Sequence, residues 1–123
     1  MLQQSPDILI VDDDMDIRYM MQSILNYEGY QTKTCSGADE LNTLLSDMRP
    51  AAIIMDMLLS GTDGKEICRK LKKKEATKHI PVMMISAHPD AESICREAGA
   101  DDFLEKPFEI DVFINKTRSL IKN

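Results

Sequence analysis

The stretch Ala51-Ala-Ile-Ile-Met-Asp56 is a short apolar run that ends in a carboxylate. A run that is apolar throughout predicts a strand buried on both faces, as in a parallel sheet. An acid at the C-terminal end of such a strand lies where open α/β sheets place their ligands. A loop with two glycines, residues 57–64, follows. Asp56 is therefore a candidate reactive residue, and the alternative is that it only caps the strand or begins a turn.

The rest of the chain alternates such runs with patterns of helical period. Strands are predicted at residues 7–11, 31–34, 51–56, 81–86 and 102–105, and the polar second strand suits a sheet edge. Asp14 is predicted to cap the first helix, residues 36–39 have the spacing of a capping box, and Asp63 is interpreted as a turn residue. The inward helical positions are predicted to be Ile17, Met20, Met21, Ile24, Leu25, Leu41, Leu44, Leu45, Met48, Ile67, Cys68, Leu71, Ala91, Ile94, Cys95, Ala98, Ile110, Phe113, Thr117, Leu120 and Ile121.

This alternation of five strands with five helices predicts an α/β fold, a doubly wound parallel sheet with helices on both faces. A length of 123 residues fits one domain. We therefore expect residues 1–123 to form a single domain, with no separate output domain.

The composition excludes several classes of function. A net charge of −6 and a pI near 4.8 argue against direct binding of nucleic acid or of an anionic membrane. The basic run at residues 69–74 is interpreted as the solvated end of a helix. Cys35, Cys68 and Cys95 lack metal-site spacing, and buried free thiols indicate a reducing compartment. With no leader pattern at the N-terminus and no membrane-spanning run, we expect a cytoplasmic protein.

Polar residues end four of the predicted strands, and a parallel sheet brings those ends to one edge. They are Asp12 with Asp13, Asp56, Ser86 and Lys106. Two carboxylates about 4 Å apart repel by roughly 4 kcal/mol at an effective dielectric constant near 20, so a cation is needed. Mg²⁺ prefers oxygen ligands and retains several waters. An acid in such a crevice can attack a phosphoryl group, whose charge a cation and a hydroxyl would stabilise.

Four motifs in this order resemble the receiver domain of two-component response regulators, the CheY-like family. The resemblance covers nearly the whole chain. The motifs are Ile8-Leu-Ile-Val-Asp12-Asp13, Ile53-Ile-Met-Asp56 with Gly61-Thr-Asp-Gly64, Pro81-Val-Met-Met-Ile-Ser86-Ala87, and Ala100-Asp-Asp-Phe103-Leu-Glu-Lys106-Pro107-Phe108.

The resemblance implies a flavodoxin-like (βα)5 fold with strand order 2-1-3-4-5. It implies that Asp56 accepts a phosphoryl group from a phosphohistidine on a sensor histidine kinase or a phosphotransfer protein. Mg²⁺ or Mn²⁺ would be held by Asp13, Asp56 and the backbone carbonyl of Leu58, with Asp12 acting mainly through water.

The resemblance also assigns a switch and an output face. Ser86 would bind a phosphoryl oxygen, Lys106 would pair with the phosphoryl group, and Phe103 would turn inward when Ser86 moves. The Lys106–Pro107 bond is expected to be cis. The fourth helix, fifth strand and fifth helix would contact a downstream effector or form a phosphorylation-dependent homodimer. The domain would signal without being a metabolic enzyme, catalysing only its own phosphorylation and dephosphorylation.

Three positions depart from the common pattern or vary within it. Ser60 stands where many receivers have proline, which puts the rigidity of that loop in question. Serine at position 86 keeps the hydroxyl, whereas Phe103 lacks the hydroxyl of a tyrosine. Leu58 and His88 are candidate modulators of attack by water, although His88 could simply be an exposed loop residue.

Other interpretations of these residues remain open. Phe103 could be an ordinary core residue, and Lys106 a surface lysine that only extends its ammonium to solvent. A degenerate receiver could act only as a docking module. The spacing Asp14-Met-Asp16 would also fit a haloacid-dehalogenase-type phosphohydrolase, but Ile17-Arg18 does not continue that pattern, and the chain is short for such an enzyme.

Overall fold

Residues 6–59 and 61–122 are described by a computed structural model, and they form a five-stranded sheet covered by helices on both faces. The predictions for the N-terminal segment 1–5 and for Ser60 lie outside the described residues. The strands are β1 (Ile8–Val11), β2 (Thr32–Cys35), β3 (Ala52–Asp56), β4 (Leu58–Leu59), β5 (Thr62–Asp63), β6 (Val82–Ser86) and β7 (Asp102–Glu105). The helices are α1 (Met15–Tyr27), α2 (Ala38–Asp47), α3 (Gly64–Lys73), α4 (Ala91–Glu97) and α5 (Ile110–Lys122).

The main sheet is parallel throughout and has the order β2-β1-β3-β6-β7. This confirms the predicted order 2-1-3-4-5, because β4 and β5 form a separate antiparallel hairpin outside the sheet. The prediction of a plain loop after Asp56 was therefore wrong at those four residues. The polar strand β2 lies at a sheet edge, as its composition predicted.

The strands of the sheet divide their side chains between two apolar clusters. In β1, Leu9 and Val11 face the side of α2, α3 and α4, whereas Ile8 and Ile10 face α1 and α5. All four are fully buried, which explains why the strand is apolar at every position. The alternation fixes which residues reach each face, because successive strand side chains point in opposite directions.

Most of the helical positions predicted to face inward are buried or partly buried, with two corrections. Met20 is 42% exposed, because the buried face of α1 is centred on Met21 and Leu25 and Met20 lies about 100° around the helix from Met21. Ile110 is 55% exposed, because it begins α5 and the buried stripe starts only at Phe113.

Local sequence patterns predicted the N-terminal cap of α1 correctly but not that of α2. The Asp14 carboxylate accepts hydrogen bonds from the backbone N–H groups of Asp16 and Ile17, which confirms the predicted cap of α1. The capping box at residues 36–39 was wrong, because Gly37 is the N-cap of α2 and, within the described residues, no side chain caps it. The third helical residue is then Glu40, whose carboxylate accepts from Ser36 instead.

The three cysteines are buried free thiols, which confirms the prediction for Cys68 and Cys95. Burial raises the pKa of Cys35 to about 12 and that of Cys68 to about 11, and it also raises the pKa of Cys95. The basic run falls in the last turn of α3, where cations favour the helix dipole. No helix formed by residues 6–59 or 61–122 has both the length and the apolar character that a membrane span requires.

Candidate functional site

The carboxyl ends of β1, β3, β6 and β7 meet at one edge of the sheet, because all four strands run in the same direction. Asp12, Asp56, Ser86 and Lys106 lie at these ends, as the sequence predicted. Buried strands hold the backbone at each position. The four residues therefore lie along one edge, where Lys106 and Asp12 are close to the Asp56 carboxylate.

Asp56 is held at both of its carboxylate oxygens. Lys106 Nζ lies 2.9 Å from Oδ2, and the backbone N–H of Leu58 donates to Oδ1 at 3.0 Å. Both side chains of the ion pair are mostly buried, so water screens it less than a surface pair. A charge-assisted hydrogen bond of this kind orients the carboxylate as well as stabilising it.

Asp12 is 1% exposed and only partly satisfied. Its Oδ1 accepts a hydrogen bond from the backbone N–H of Asp14 at 2.9 Å, but its buried Oδ2 has no hydrogen-bond partner among the described residues. Burial is the largest cause that raises the pKa of Asp12 from 3.8 to about 6, and the neighbouring Asp56 carboxylate raises it further. The Asp14 N–H and Lys106 oppose this rise in pKa.

The crevice therefore contains a buried carboxylate oxygen that needs a positive partner. A cation would supply one, and oxygen donors of this kind suit Mg²⁺. However, within residues 6–59 and 61–122 no group of three acidic, histidine or cysteine side chains is arranged to hold a metal ion. Asp13 is exposed on the loop beside Asp12, and Leu58 is exposed after Asp56.

Ser86 is the last residue of β6, and His88 lies on the loop that follows the strand. Ser86 is buried, and its Oγ accepts a hydrogen bond from the backbone N–H of His88 at 3.0 Å. The His88 ring is exposed, and its Nδ1 accepts from the backbone N–H of Asp90 at 3.2 Å. The structure thus brings Ser86 to the crevice edge, while the modulating role of His88 stays a prediction.

Phe103 packs inward in β7, and hydrogen bonds of Phe103 and Asp102 connect this strand to both neighbouring helices. Its backbone carbonyl accepts a hydrogen bond from Lys116 Nζ of α5 at 2.8 Å. The Asp102 carboxylate lies 3.3 Å from the same Nζ and 3.4 Å from the guanidinium of Arg96 in α4. A core role and a switch role are both compatible with this burial.

Two residues that position the site were missed by the sequence reasoning. Arg18 of α1 donates to the backbone carbonyl of Asp12 at 2.8 Å and so fixes the acidic loop. Gly64 begins α3 so close to β3 that an added Cβ would lie 2.5 Å from the carbonyl oxygen of Asp56. Asp63, interpreted as a turn residue, caps this helix by accepting from the N–H of Lys65. Two features of the sequence could have indicated these roles. Arg18 lies one helical turn after Asp14, and a glycine stands directly before the apolar pattern of α3.

The alternative pair Asp14 and Asp16 does not enter the crevice as the phosphohydrolase pattern requires. Asp14 caps α1, and Asp16 is an exposed residue of its first turn. The Lys106–Pro107 peptide bond is cis, as the resemblance implied.

The fold and the crevice define a doubly wound α/β domain with an acidic site at its strand ends, and comparison with known proteins identifies the family. The model of the response regulator receiver domain matches residues 8–118. The chain is 32% identical over 117 residues to the phosphate regulon transcriptional regulatory protein PhoB of Pseudomonas aeruginosa, covering 94% of this chain and 51% of that protein. The chain therefore belongs to the response regulator receiver domain family.

Solved structures agree with this assignment. A putative response regulator from Chloroflexus aurantiacus is 31% identical, with a TM-score of 0.91, covering 98% of this chain and 100% of that one. The receiver domain of the sensor histidine kinase PA1611 from Pseudomonas aeruginosa has a magnesium ion coordinated in its active-site cleft. It is 23% identical with a TM-score of 0.86, over 97% of this chain and 99% of that one, which shows the fold alone. The chain spans about half the length of the curated relatives it matches.

Proposed function

We propose that Asp56 accepts a phosphoryl group from a phosphohistidine of a sensor histidine kinase or phosphotransfer protein. The observation that carries this proposal is the Asp56 carboxylate, which pairs with the Lys106 ammonium and lies close enough to the buried Asp12 carboxylate to raise its pKa. An acid that is fixed by a cation yet open at a crevice can act as a nucleophile. The domain works in the cytoplasm as a signalling switch and not as a metabolic enzyme.

The donor set of the crevice fits a divalent cation, Mg²⁺ or Mn²⁺. Asp13, Asp56 and the backbone carbonyl of Leu58 would hold it directly, with Asp12 acting through water. When bound, the cation neutralises the clustered carboxylates and the charge on the phosphoryl oxygens.

In the transfer, an Asp56 oxygen forms the new bond to phosphorus as the bond from phosphorus to the histidine nitrogen breaks. Lys106 moves its ion pair from the carboxylate to a phosphoryl oxygen, since Asp56 is then an acyl phosphate and its carboxyl group no longer carries the charge. Ser86 accepts from the His88 N–H and keeps its own hydroxyl hydrogen for another phosphoryl oxygen. These positioned charges stabilise a transition state whose charge is spread over the equatorial oxygens.

The signal then passes from Ser86 to Phe103 and to the face formed by α4, β7 and α5. Once phosphorylated, Asp56 carries roughly −1.5 to −2 charges in place of the single negative charge of its carboxylate, which draws the donor groups of the crevice inward. Movement of Ser86 would change the packing of Phe103, and Phe103 is connected to α5 through Lys116. This face binds a downstream effector.

The test is intact-mass measurement after incubation with Mg²⁺ and a small acyl phosphate. Wild type and an exposed-site control, Asp39→Asn on α2, should each gain one phosphoryl group, and Asp56→Asn should gain none. Omitting the divalent ion should abolish the adduct on wild type. An adduct of equal amount on Asp56→Asn would contradict the assignment of the acceptor.

The alternative is a docking module that is never phosphorylated. The exposed Asp13 and the lack of a metal-binding group of three within the described residues are the observations that favour it. Calorimetric titration with Mg²⁺ separates the two functions, since only the switch requires a cation. Neither cation binding nor an adduct would establish the docking module.

A further inference from the structure

A cavity of about 400 Å³ opens beside Phe103, between β7 and the beginning of α5. Its apolar lining residues are Phe103, Leu104, Pro107, Phe108 and Val112. The volume lies within the range of roughly 300–1,000 Å³ that is typical of ligand pockets. Val112 is 41% exposed, so part of this apolar surface faces solvent. The cavity is therefore suited to receive a large apolar side chain.

The mouth of the cavity carries uncompensated negative charge. Glu105 and Glu109 line it, both are exposed, and neither carboxylate has a hydrogen bond or ion pair within the described part of the chain. Glu92 of α4 also lines the cavity but pairs with Arg96. The lysine that lines it, Lys116, directs its ammonium to the carbonyl of Phe103 and the carboxylate of Asp102.

We propose that this cavity binds a peptide segment of a partner protein in which a large apolar side chain is flanked by lysine or arginine. The apolar side chain fills the space beside Phe103, and the cations pair with Glu105 and Glu109. Peptide binding itself does not depend on the proposed function, and only its control by phosphorylation rests on that function. Because Phe103 forms part of the lining, a change in its packing alters the shape of the cavity.

The same charges disfavour an isologous dimer through this face. A two-fold axis at the cavity would bring Glu105 and Glu109 of one copy toward the same residues of the other. Like charges across an interface repel and suppress that pairing. The charge of the mouth thus selects a cationic partner over a second copy of this chain.

The test uses two synthetic amphipathic peptides that share the same leucines, one with arginine and one with glutamate at the flanking positions. Binding is measured by fluorescence anisotropy on the full chain, before and after treatment with Mg²⁺ and beryllofluoride. We expect the arginine peptide to bind at least tenfold more tightly than its twin. The Glu105→Gln/Glu109→Gln variant should lose about tenfold in affinity for it, and the exposed control Asp39→Asn/Asp47→Asn should lose none.

Each outcome decides the matter. Equal binding of the two peptides, preference for the glutamate peptide, or no binding to treated or untreated protein would overturn the proposal. So would dimerisation of the treated protein through this face, seen by size-exclusion chromatography with light scattering. Intact mass after acyl phosphate treatment is measured on the same samples. An adduct without peptide preference leaves the proposed function standing, whereas peptide preference without an adduct supports the cationic partner and contradicts the phosphoryl switch.

Discussion

Asp12→Asn should stabilise the protein at neutral pH when divalent ions are absent. In the folded state the pKa of Asp12 is raised from 3.8 to about 6, chiefly by burial. The difference corresponds to about 3 kcal/mol, because one pKa unit is worth about 1.4 kcal/mol. Asparagine keeps a carbonyl oxygen for the Asp14 N–H and removes the buried charge. It can also donate to Asp56.

The sign of the effect follows from proton linkage. Between pH 3.8 and about 6 the folded state retains a proton on Asp12 that the unfolded chain has lost. The free energy of unfolding contributed by this group therefore falls as the pH rises through that window. The free-energy penalty for ionising buried Asp12 is complete above pH 6 and absent below 3.8. The gain in the free energy of unfolding from Asp12→Asn should therefore grow toward about 3 kcal/mol over the same window.

The assay is urea denaturation of wild type and Asp12→Asn, with a chelator present, at pH values on both sides of the window. The exposed-site variant Asp39→Asn controls for a change in net charge. Adding Mg²⁺ should stabilise wild type more than Asp12→Asn, since the variant keeps the direct ligands but lacks one carboxylate of the crevice. Parallel stability profiles for the two proteins from pH 4 to 8 would refute the reasoning, because they would mean that Asp12 carries no buried-charge penalty.

Three further predictions concern the neighbourhood of the site and the core. Gly64→Ala should lower the free energy of unfolding by about 1–3 kcal/mol or more, because its Cβ would meet the Asp56 carbonyl. The control Gly37→Ala has no described atom within 4 Å of its added Cβ and should cost about 1 kcal/mol at most. Equal urea midpoints for the two variants would contradict this prediction. Lys106→Met should retain Mg²⁺ binding by calorimetry but give at least tenfold less phosphoryl adduct by intact mass, and normal adduct formation would exclude a role for the ammonium. Cys68 should be alkylated by iodoacetamide at pH 8 at least about a hundredfold more slowly in the folded protein than in urea, since a pKa of about 11 in place of 9.0 lowers the fraction of thiolate. Equal alkylation rates, measured by peptide mass spectrometry, would show that the thiol is accessible and that its pKa is unperturbed.

The strands and the acidic edge could be predicted because buried parallel strands have a distinctive sequence. Each is an apolar run that ends at a polar residue, and parallel direction alone brings those polar ends together. Asp56 and Lys106 are 50 residues apart in sequence, yet topology places their side chains 2.9 Å apart. The prediction needed no knowledge of side-chain packing.

The features that failed depend on packing or on small shifts of a boundary. Leu58 and Leu59 form a strand of two residues, which is too short for a periodic pattern. Because α2 starts one residue later than the predicted capping box required, the carboxylate that accepts a hydrogen bond from Ser36 belongs to Glu40 and not to Asp39. The raised pKa of Asp12 depends on burial by residues from several elements, so its sequence position could not reveal it.

The division of strand side chains between two clusters also limits how the length of this chain can vary. Within β3, Ile53 and Met55 serve one cluster and Ile54 the other. A single inserted or deleted residue inside β3 would exchange the two sets and rotate the residue at the strand end away from the crevice. Insertions in the turns would leave both clusters in register. Natural length variants of this domain are therefore expected to differ in their connecting loops and to keep a constant number of residues within each buried strand.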